Sequence, residues 1–237
     1  MQRSIEAVCF ESGLVRIRIL TVLLALARIT FASQDRVPAF TFASNPECLY
    51  VSARAASEAL NIPYSYDARS DLVFLGSIPL DYESAVGSER FVAIELLKAI
   101  GAVVTADQGS MSVTLNGHAM KVHGGKKRAV LDKTSQMFRA YQGGSLVLTS
   151  RMSTGKYSRS TPVGTFRVGY LKDAYKSSSK YGDAPMPYAV HVTRNVFIHG
   201  GVVPNYPASH GCVRLPDDAA KWFFNWAEPG TMLTIRG

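Results

Sequence analysis

Residues 196–215 read VFIHGGVVPNYPASHGCVRL and bring two imidazoles, His199 and His210, close in sequence to one thiol, Cys212. No other cysteine occurs in the second half of the chain. A thiol becomes nucleophilic near neutral pH when a neighbouring base or cation favours loss of its proton. Small residues surround the three groups: Gly200, Gly201, Ala208, Ser209 and Gly211. Glycines there let the backbone approach a substrate and take dihedrals closed to other residues. The same residues also fit a metal site, or two core histidines beside an inert thiol. A structural zinc site takes four ligands in paired spacings, and the sequence has no second Cys/His cluster. Spacing alone leaves the nucleophile and the inert thiol both open.

The elements around the motif decide which histidine works. Strand residues two apart share a face about 6.5–7 Å apart. An extended motif therefore holds His210 too far from Cys212 for direct proton transfer. His199 ends the preceding strand and is expected to reach Cys212 across a ladder. His199 is then the base, with the Gly200 carbonyl placed to fix its tautomer. His210 is expected to orient the motif or line an oxyanion region, with N–H donors from Gly211 and Cys212. Arg214 fits a substrate carboxylate, and equally a buried structural pair. Alternating stretches at 129–132, 136–141, 145–151, 187–193 and 196–199 predict strands. A turn at Gln142-Gly143-Gly144 and another at Arg194-Asn195 join them. Residues 172–183 are expected as a polar loop, either a lid or a solvated hairpin tip. Pro216 opens a helix, Asp217 and Asp218 favour its positive end, its Trp222, Phe223 and Trp226 face a sheet, Gly230 closes it, and 231–235 form a last strand.

Ser209-His210-Gly211-Cys212-Val213-Arg214, preceded by Ile198-His199-Gly200, resembles the active-site signature of the L,D-transpeptidases, the YkuD-type domain. Ser153-Thr154-Gly155-Lys156, Thr161-Pro162-Val163-Gly164-Thr165-Phe166 and Met186-Pro187-Tyr188 resemble three further blocks of that domain, in the same order. The resemblance covers roughly residues 127–237 and implies a β-rich catalytic domain acting on bacterial peptidoglycan. It implies catalytic roles for Cys212, His199, His210 and Gly211. Substrate contacts are expected from Arg214, Ser209, Gly200 and Tyr188, without metal or cofactor. Only nine residues separate His199 from Ser209, a shorter and proline-containing loop than many members carry.

Charge divides the chain. Residues 34–120 carry 5 Lys/Arg against 10 Asp/Glu, whereas residues 121–237 carry 17 against 6. A basic half bearing the thiol suits an anionic substrate. Nucleic acid is not expected, because no helix-turn-helix, zinc-finger or RNP-like pattern is present. Residues 1–33 are expected to be a signal peptide. Arg16 and Arg18 precede an apolar run over 19–27, too short to span a bilayer, and Ala32 and Ser33 follow. A retained anchor is the alternative. The expected location is exported, in the periplasm or cell wall, without an integral membrane domain after cleavage. Cys9 is expected to leave with that segment, and Cys48 and Cys212 to stay reduced.

Residues 34–120 contain a duplicated pattern. A strand end at 50–52, a helix at 53–60 and a hairpin segment at 61–67 are repeated at 90–93, 94–100 and 101–107, closing on a second hairpin and an Asn116-Gly117 turn. This unit resembles the small N-terminal domain of copper amine oxidases and of many secreted wall enzymes, although no copper site is expected. Its own helices and opposite charge predict independent folding, with a wall-binding role. Residues 121–127 are expected as a linker and 128–237 as the catalytic domain, giving a mixed, mainly β chain.

The chemistry expected from the resemblance is acyl transfer. Cys212 attacks the bond between an L-diamino acid and the terminal D-Ala of a stem tetrapeptide, and the acyl group passes to an acceptor amine. The acceptor is another stem peptide, giving a 3→3 cross-link, or a protein to be anchored to the wall. The alternatives are a hydrolase of the same fold, or a wall-binding protein without catalysis.

Overall fold

The computed structural model describes residues 35–84, 88–107, 110–176 and 182–237. The expected signal segment and Cys9 lie outside the described residues. The first half comprises β1 (Asp35–Phe42), β2 (Asn45–Ser52), α1 (Ala53–Leu60), β3 (Tyr64–Asp67), β4 (Leu72–Leu75), β5 (Ile78–Leu80), β6 (Glu83–Ser84), β7 (Arg90–Ala93), β8 (Val103–Asp107), β9 (Ser110–Leu115) and β10 (His118–Gly124). The helix matches its expected bounds. Ser52 caps it by accepting the Ala55 N–H, and Asn61 ends it in a left-handed conformation. The repeat's second helix, Ile94–Ile100, is a 3-10 helix instead.

Seven of these strands form one sheet in the order β6-β7-β2-β1-β10-β9-β8, and β3-β4-β5 form a small second sheet. Residues 121–124, expected in a linker, belong to β10. That strand lies between β1 and β9, with Val37 opposite Val122. The alternation that makes it a strand is visible in burial, since Met120 and Val122 are buried while Lys121 and His123 are exposed. Only Gly125 and Lys126 then separate β10 from the next strand.

The second half comprises β11 (Lys127–Asp132), β12 (Met137–Gln142), β13 (Ser145–Arg151), β14 (Gly164–Arg167), β15 (Leu171–Lys176), β16 (Pro185–Thr193), β17 (Val196–Gly200), β18 (Val213–Leu215), α2 (Asp217–Trp226) and β19 (Met232–Arg236). One sheet runs β13-β12-β11-β19-β14 and another β15-β16-β17-β18. Part of the expected polar loop is strand: residues 171–176 pair antiparallel with β16. Helix α2 packs Trp222, Phe223 and Trp226 inward, and the Phe223 ring meets Phe138 edge-on at 4.9 Å.

The two halves share a hydrophobic core, contrary to the expectation of independent folding. Phe40, Phe42, Tyr50 and Phe91 of the first half are buried in one continuous cluster with Phe138, Val147, Phe223 and Trp226 of the second. A second cluster, around Val51, Val92, Leu97 and Met120, belongs to the first half alone. Gln142 joins the halves at the seam. Its side chain, only 3% exposed, donates to the Ala39 carbonyl (3.0 Å) and accepts from the Trp226 indole N–H (2.8 Å). A buried amide with two such partners ties strand β1 to helix α2 and leaves neither polar group unpaired. Cys48, expected to be reduced, is disulfide-bonded, whereas Cys212 is free.

Candidate active site

Strands β17 and β18 run parallel, with His199 opposite Arg214 and Ile198 opposite Val213. Cys212 immediately precedes β18. His199 is 6% exposed, and its Nδ1 lies 2.7 Å from the Gly200 carbonyl oxygen. A carbonyl can only accept, so Nδ1 carries the proton and donates, leaving Nε2 as the acceptor. Burial pushes the His199 pKa down. The bond to Gly200 opposes this shift, Arg214 adds to it, and Asp217 opposes it. Cys212 is half-buried, with Sγ 3.7 Å from the Asn195 carbonyl oxygen. Burial pushes the thiol up, partly offset by the Phe197 backbone and the positive Arg214. Both shifts favour the uncharged forms, thiol and imidazole.

The approach to the thiol is bent rather than extended. Gly211 has φ +124°, a region other residues avoid. The Ser209 hydroxyl closes the bend, donating to the Cys212 carbonyl (2.6 Å) and accepting from the Gly211 N–H (3.0 Å). The Gly211 N–H, expected to face an oxyanion, is thus occupied by the Ser209 hydroxyl. His210 is exposed on the bend. Desolvation first, then the positive Lys156, Arg159 and Arg214, hold its pKa below the usual histidine value.

The upstream blocks build the floor under this bend. Ser153 and Arg214 exchange two backbone hydrogen bonds, 3.0 and 2.9 Å, and the Thr154 carbonyl accepts from Ala208 and Ser209. The Thr161 hydroxyl, 1% exposed, donates to the Gly211 carbonyl (2.9 Å) and accepts from the Gly155 N–H (2.8 Å). Gly155 is needed for space: a side-chain carbon there would lie 2.1 Å from the Arg159 carbonyl oxygen and 2.9 Å from the Gly211 Cα. Gln136 holds the same segment, accepting from the Thr154 N–H at 2.9 Å.

The structure thus sets His199 and Gly200 on β17 beside Arg214 of β18, and ties Ser209 and Gly211 into the bend that leads to Cys212. Tyr188 stands apart. It adopts φ +56°, and its ring packs toward Phe224 of α2 at 6.1 Å. Asp217 was read from the sequence only as a favourable charge at a helix start, yet it touches the site. A side-chain carbon on Gly200 would lie 2.5 Å from its Oδ1. Its position three residues after Arg214 was the available signal. The sequence also gave no sign of an aromatic row beside the thiol. His191 stacks on Tyr170 at 4.6 Å and meets Phe197 edge-on at 5.3 Å, and Cys212 packs against the cluster containing Phe197. Pairing places these side chains on successive strands, since His191 is opposite Phe197 in the β16–β17 ladder.

Among the described residues, no group of three or more His, Cys, Asp or Glu is placed to hold a metal ion. Nor is any helix among them long and apolar enough to cross a membrane. Residues 126–235 match the family model described as YkuD, L,D-transpeptidase catalytic domain. No curated protein matches the chain. Among solved structures, an L,D-transpeptidase from Xylanimonas cellulosilytica is 27% identical over 48% of this chain and 62% of its own, with a TM-score of 0.43. One from Stackebrandtia nassauensis is 21% identical over 47% of this chain and 56% of its own, with a TM-score of 0.44. One from Mycobacterium smegmatis is 17% identical over 87% of this chain and 95% of its own, with a TM-score of 0.46. This chain therefore spans less than two thirds of the first two relatives. The match to the YkuD model thus covers residues 126–235, the part of the chain that carries His199, Cys212 and the blocks around them.

Proposed function

We infer that the chain is a peptidoglycan L,D-transpeptidase with Cys212 as nucleophile and His199 as base. The observation that carries this reading is the 2.7 Å bond from His199 Nδ1 to the Gly200 carbonyl. It fixes the one tautomer whose Nε2 accepts a proton, on the strand that neighbours the Cys212 segment.

In the first step Sγ attacks the carbonyl of the L-diamino acid–D-Ala bond while its proton passes to His199 Nε2. Charge develops on the carbonyl oxygen and is met by the Cys212 N–H. The C–N bond breaks, D-Ala leaves as the amine with the proton from His199, and a thioester remains. An acceptor amine then attacks the thioester and gives its proton to His199, and the thiolate leaves and is reprotonated. Both shifts favour the uncharged forms, so proton transfer from Cys212 to His199 accompanies attack on the substrate. Arg214, opposite His199 in the ladder, holds a substrate carboxylate, and the exposed His210 shapes the entrance. The acceptor is a stem-peptide amine or a protein amine, and the working location is the exported cell-wall space. Residues 34–120 are assigned to wall binding, in keeping with their resemblance to the repeat domain of secreted wall enzymes.

Incubating the protein with tetrapeptide muropeptides, with and without an added amine, and reading the products by mass spectrometry tests this function. Loss of D-Ala with transfer to the amine is expected. Trimmed stems alone, at any amine concentration, favour the hydrolase.

A further inference from the structure

A cleft of about 1550 Å³ opens at the seam between the two halves, away from the thiol. None of the residues assigned to the chemistry lines it. It exceeds the roughly 300–1,000 Å³ of a small-molecule pocket, so it suits a segment of polymer. Its charge is one-sided. Lys126, Lys127, Arg128 and Arg167 line it, and Glu228 is the one acid among the described lining residues. Glu228 is paired with Lys127. Of the remaining three cations, Arg128 and Arg167 are held in place. The Arg128 guanidinium lies 4.0 Å from the centre of the Tyr141 ring, and Arg167 Nη1 donates to the Gly230 carbonyl at 3.1 Å. Held guanidiniums keep N–H groups available for a planar anion.

The rest of the lining narrows the ligand class. Leu49 and Met232, 41% and 38% exposed, supply apolar surface there. Gly124 and Gly144 leave open space beside their backbone, whereas the Gly125 and Gly143 N–H groups are bonded to the Ala39 and Lys126 carbonyls. Among the described lining residues His123 is the one aromatic ring and no Phe, Tyr or Trp is present, so bases find little to stack on and single-stranded nucleic acid is disfavoured. Carboxylates carried on partly apolar peptide fit the combination of fixed cations, apolar floor and open backbone. The first half cannot supply this charge, since residues 34–120 are net acidic. The cations come from residues 126–128 and from the end of β14, so the site exists only where the halves meet.

We propose that this seam cleft is a second binding site, separate from the thiol, for peptidoglycan strands through the carboxylates of their stem peptides. The proposal rests on the peptidoglycan assignment above, and its test separates the two.

The test uses the full chain with Cys212→Ala, so that nothing turns over. Binding is measured for three probes: a monomeric tetrapeptide muropeptide, soluble glycan strands bearing several stem peptides, and polyphosphate. The double variant Lys126→Glu/Arg167→Glu is compared with its parent, and Lys126→Gln/Arg167→Gln serves as the milder form. Thermal unfolding checks the fold of each. The expected result is that strands bind roughly tenfold more weakly to the Glu variant and by an intermediate factor to the Gln variant. Added salt weakens the parent's binding, and the monomer binds all three proteins alike. Equal strand binding by parent and variants overturns the proposal. So does equal weakening of the monomer, which means the cleft is part of the catalytic site. Polyphosphate binding as tight as the strands overturns the assignment to stem carboxylates. With Cys212 intact, absence of transpeptidation alongside charge-sensitive strand binding refutes the catalytic function and leaves this site standing.

Discussion

Thr161 and Gly211 are fifty residues apart in sequence and joined by a 2.9 Å hydrogen bond from the Thr161 hydroxyl to the Gly211 carbonyl. The same hydroxyl accepts from Gly155, so one buried oxygen ties the floor of the site to the bend that presents Cys212. Thr161→Val keeps the shape and removes both bonds, leaving a buried N–H and a buried carbonyl without partners. A loss of about 2–4 kcal/mol in stability is expected, together with slower acylation of Cys212. Thr161→Ser should keep most of both, as read by urea unfolding and acylation rate.

Gly155 should be intolerant of any side chain. The carbon added by Gly155→Ala meets backbone at 2.1 Å, so Arg159 or Gly211 has to shift. A loss of at least about 2 kcal/mol is expected from such overpacking. Gly124→Ala has open space at the same test and should change the midpoint little. Equal midpoints for the two variants would contradict the packing described here.

The seam between the halves gives a third expectation. Gln142→Ala takes the acceptor from the Trp226 indole N–H and the Thr41 N–H in the shared core, while the Ala39 carbonyl keeps the Gly125 N–H. Destabilisation by about 2–4 kcal/mol is expected, with one unfolding transition in the parent because the core is continuous. A chain beginning near residue 121 breaks the first sheet at β10 and exposes the Phe138 side of the core. It should aggregate rather than fold. A well-folded truncation would show that the shared core is dispensable.

The pH dependence follows from the directions of the two shifts. His199 must be neutral to accept a proton, and its folded pKa lies below the ordinary 6.5. The acid limb of turnover should therefore fall below pH 6.5. Asp217→Asn removes an influence that raises this pKa and should move the limb further down, whereas Arg214→Gln should move it up. In stability the sign runs likewise. The unfolded chain binds the proton first, so this contribution is present above pH 6.5 and is lost as pH falls below that value toward the folded pKa. Without substrate, the alkylation rate of Cys212 should rise only above the ordinary thiol range, because burial holds its pKa up.

Much of the second half was legible because its strands alternate and its chemical residues sit in short blocks. The His199–Gly200 carbonyl bond follows from adjacency, and α2 from Pro216, the two acids and the inward aromatics. What failed had physical causes. The bend at Gly211 depends on a hydroxyl two residues away, and alternation at His210 and Cys212 imitates a strand. The apparent linker is Gly- and Lys-rich, yet its Val122 is buried opposite Val37, a contact no local pattern reveals. The shared core joins Phe40 to residues a hundred positions onward, beyond the reach of any periodicity. Tyr188 sits in a matching block but points toward a helix, because its left-handed backbone turns it there.

The central claim is that Cys212 attacks with His199 as its base. Intact-mass spectrometry during incubation with a carbapenem-type β-lactam, to which the family resemblance implies reactivity, tests it most directly. The expected result is one covalent adduct on the parent, none on Cys212→Ala, and an acylation rate lowered roughly 100-fold or more in His199→Ala. His210→Ala should be acylated at a rate much closer to the parent's. An adduct that persists in Cys212→Ala, or an acylation rate unchanged in His199→Ala, would contradict the claim.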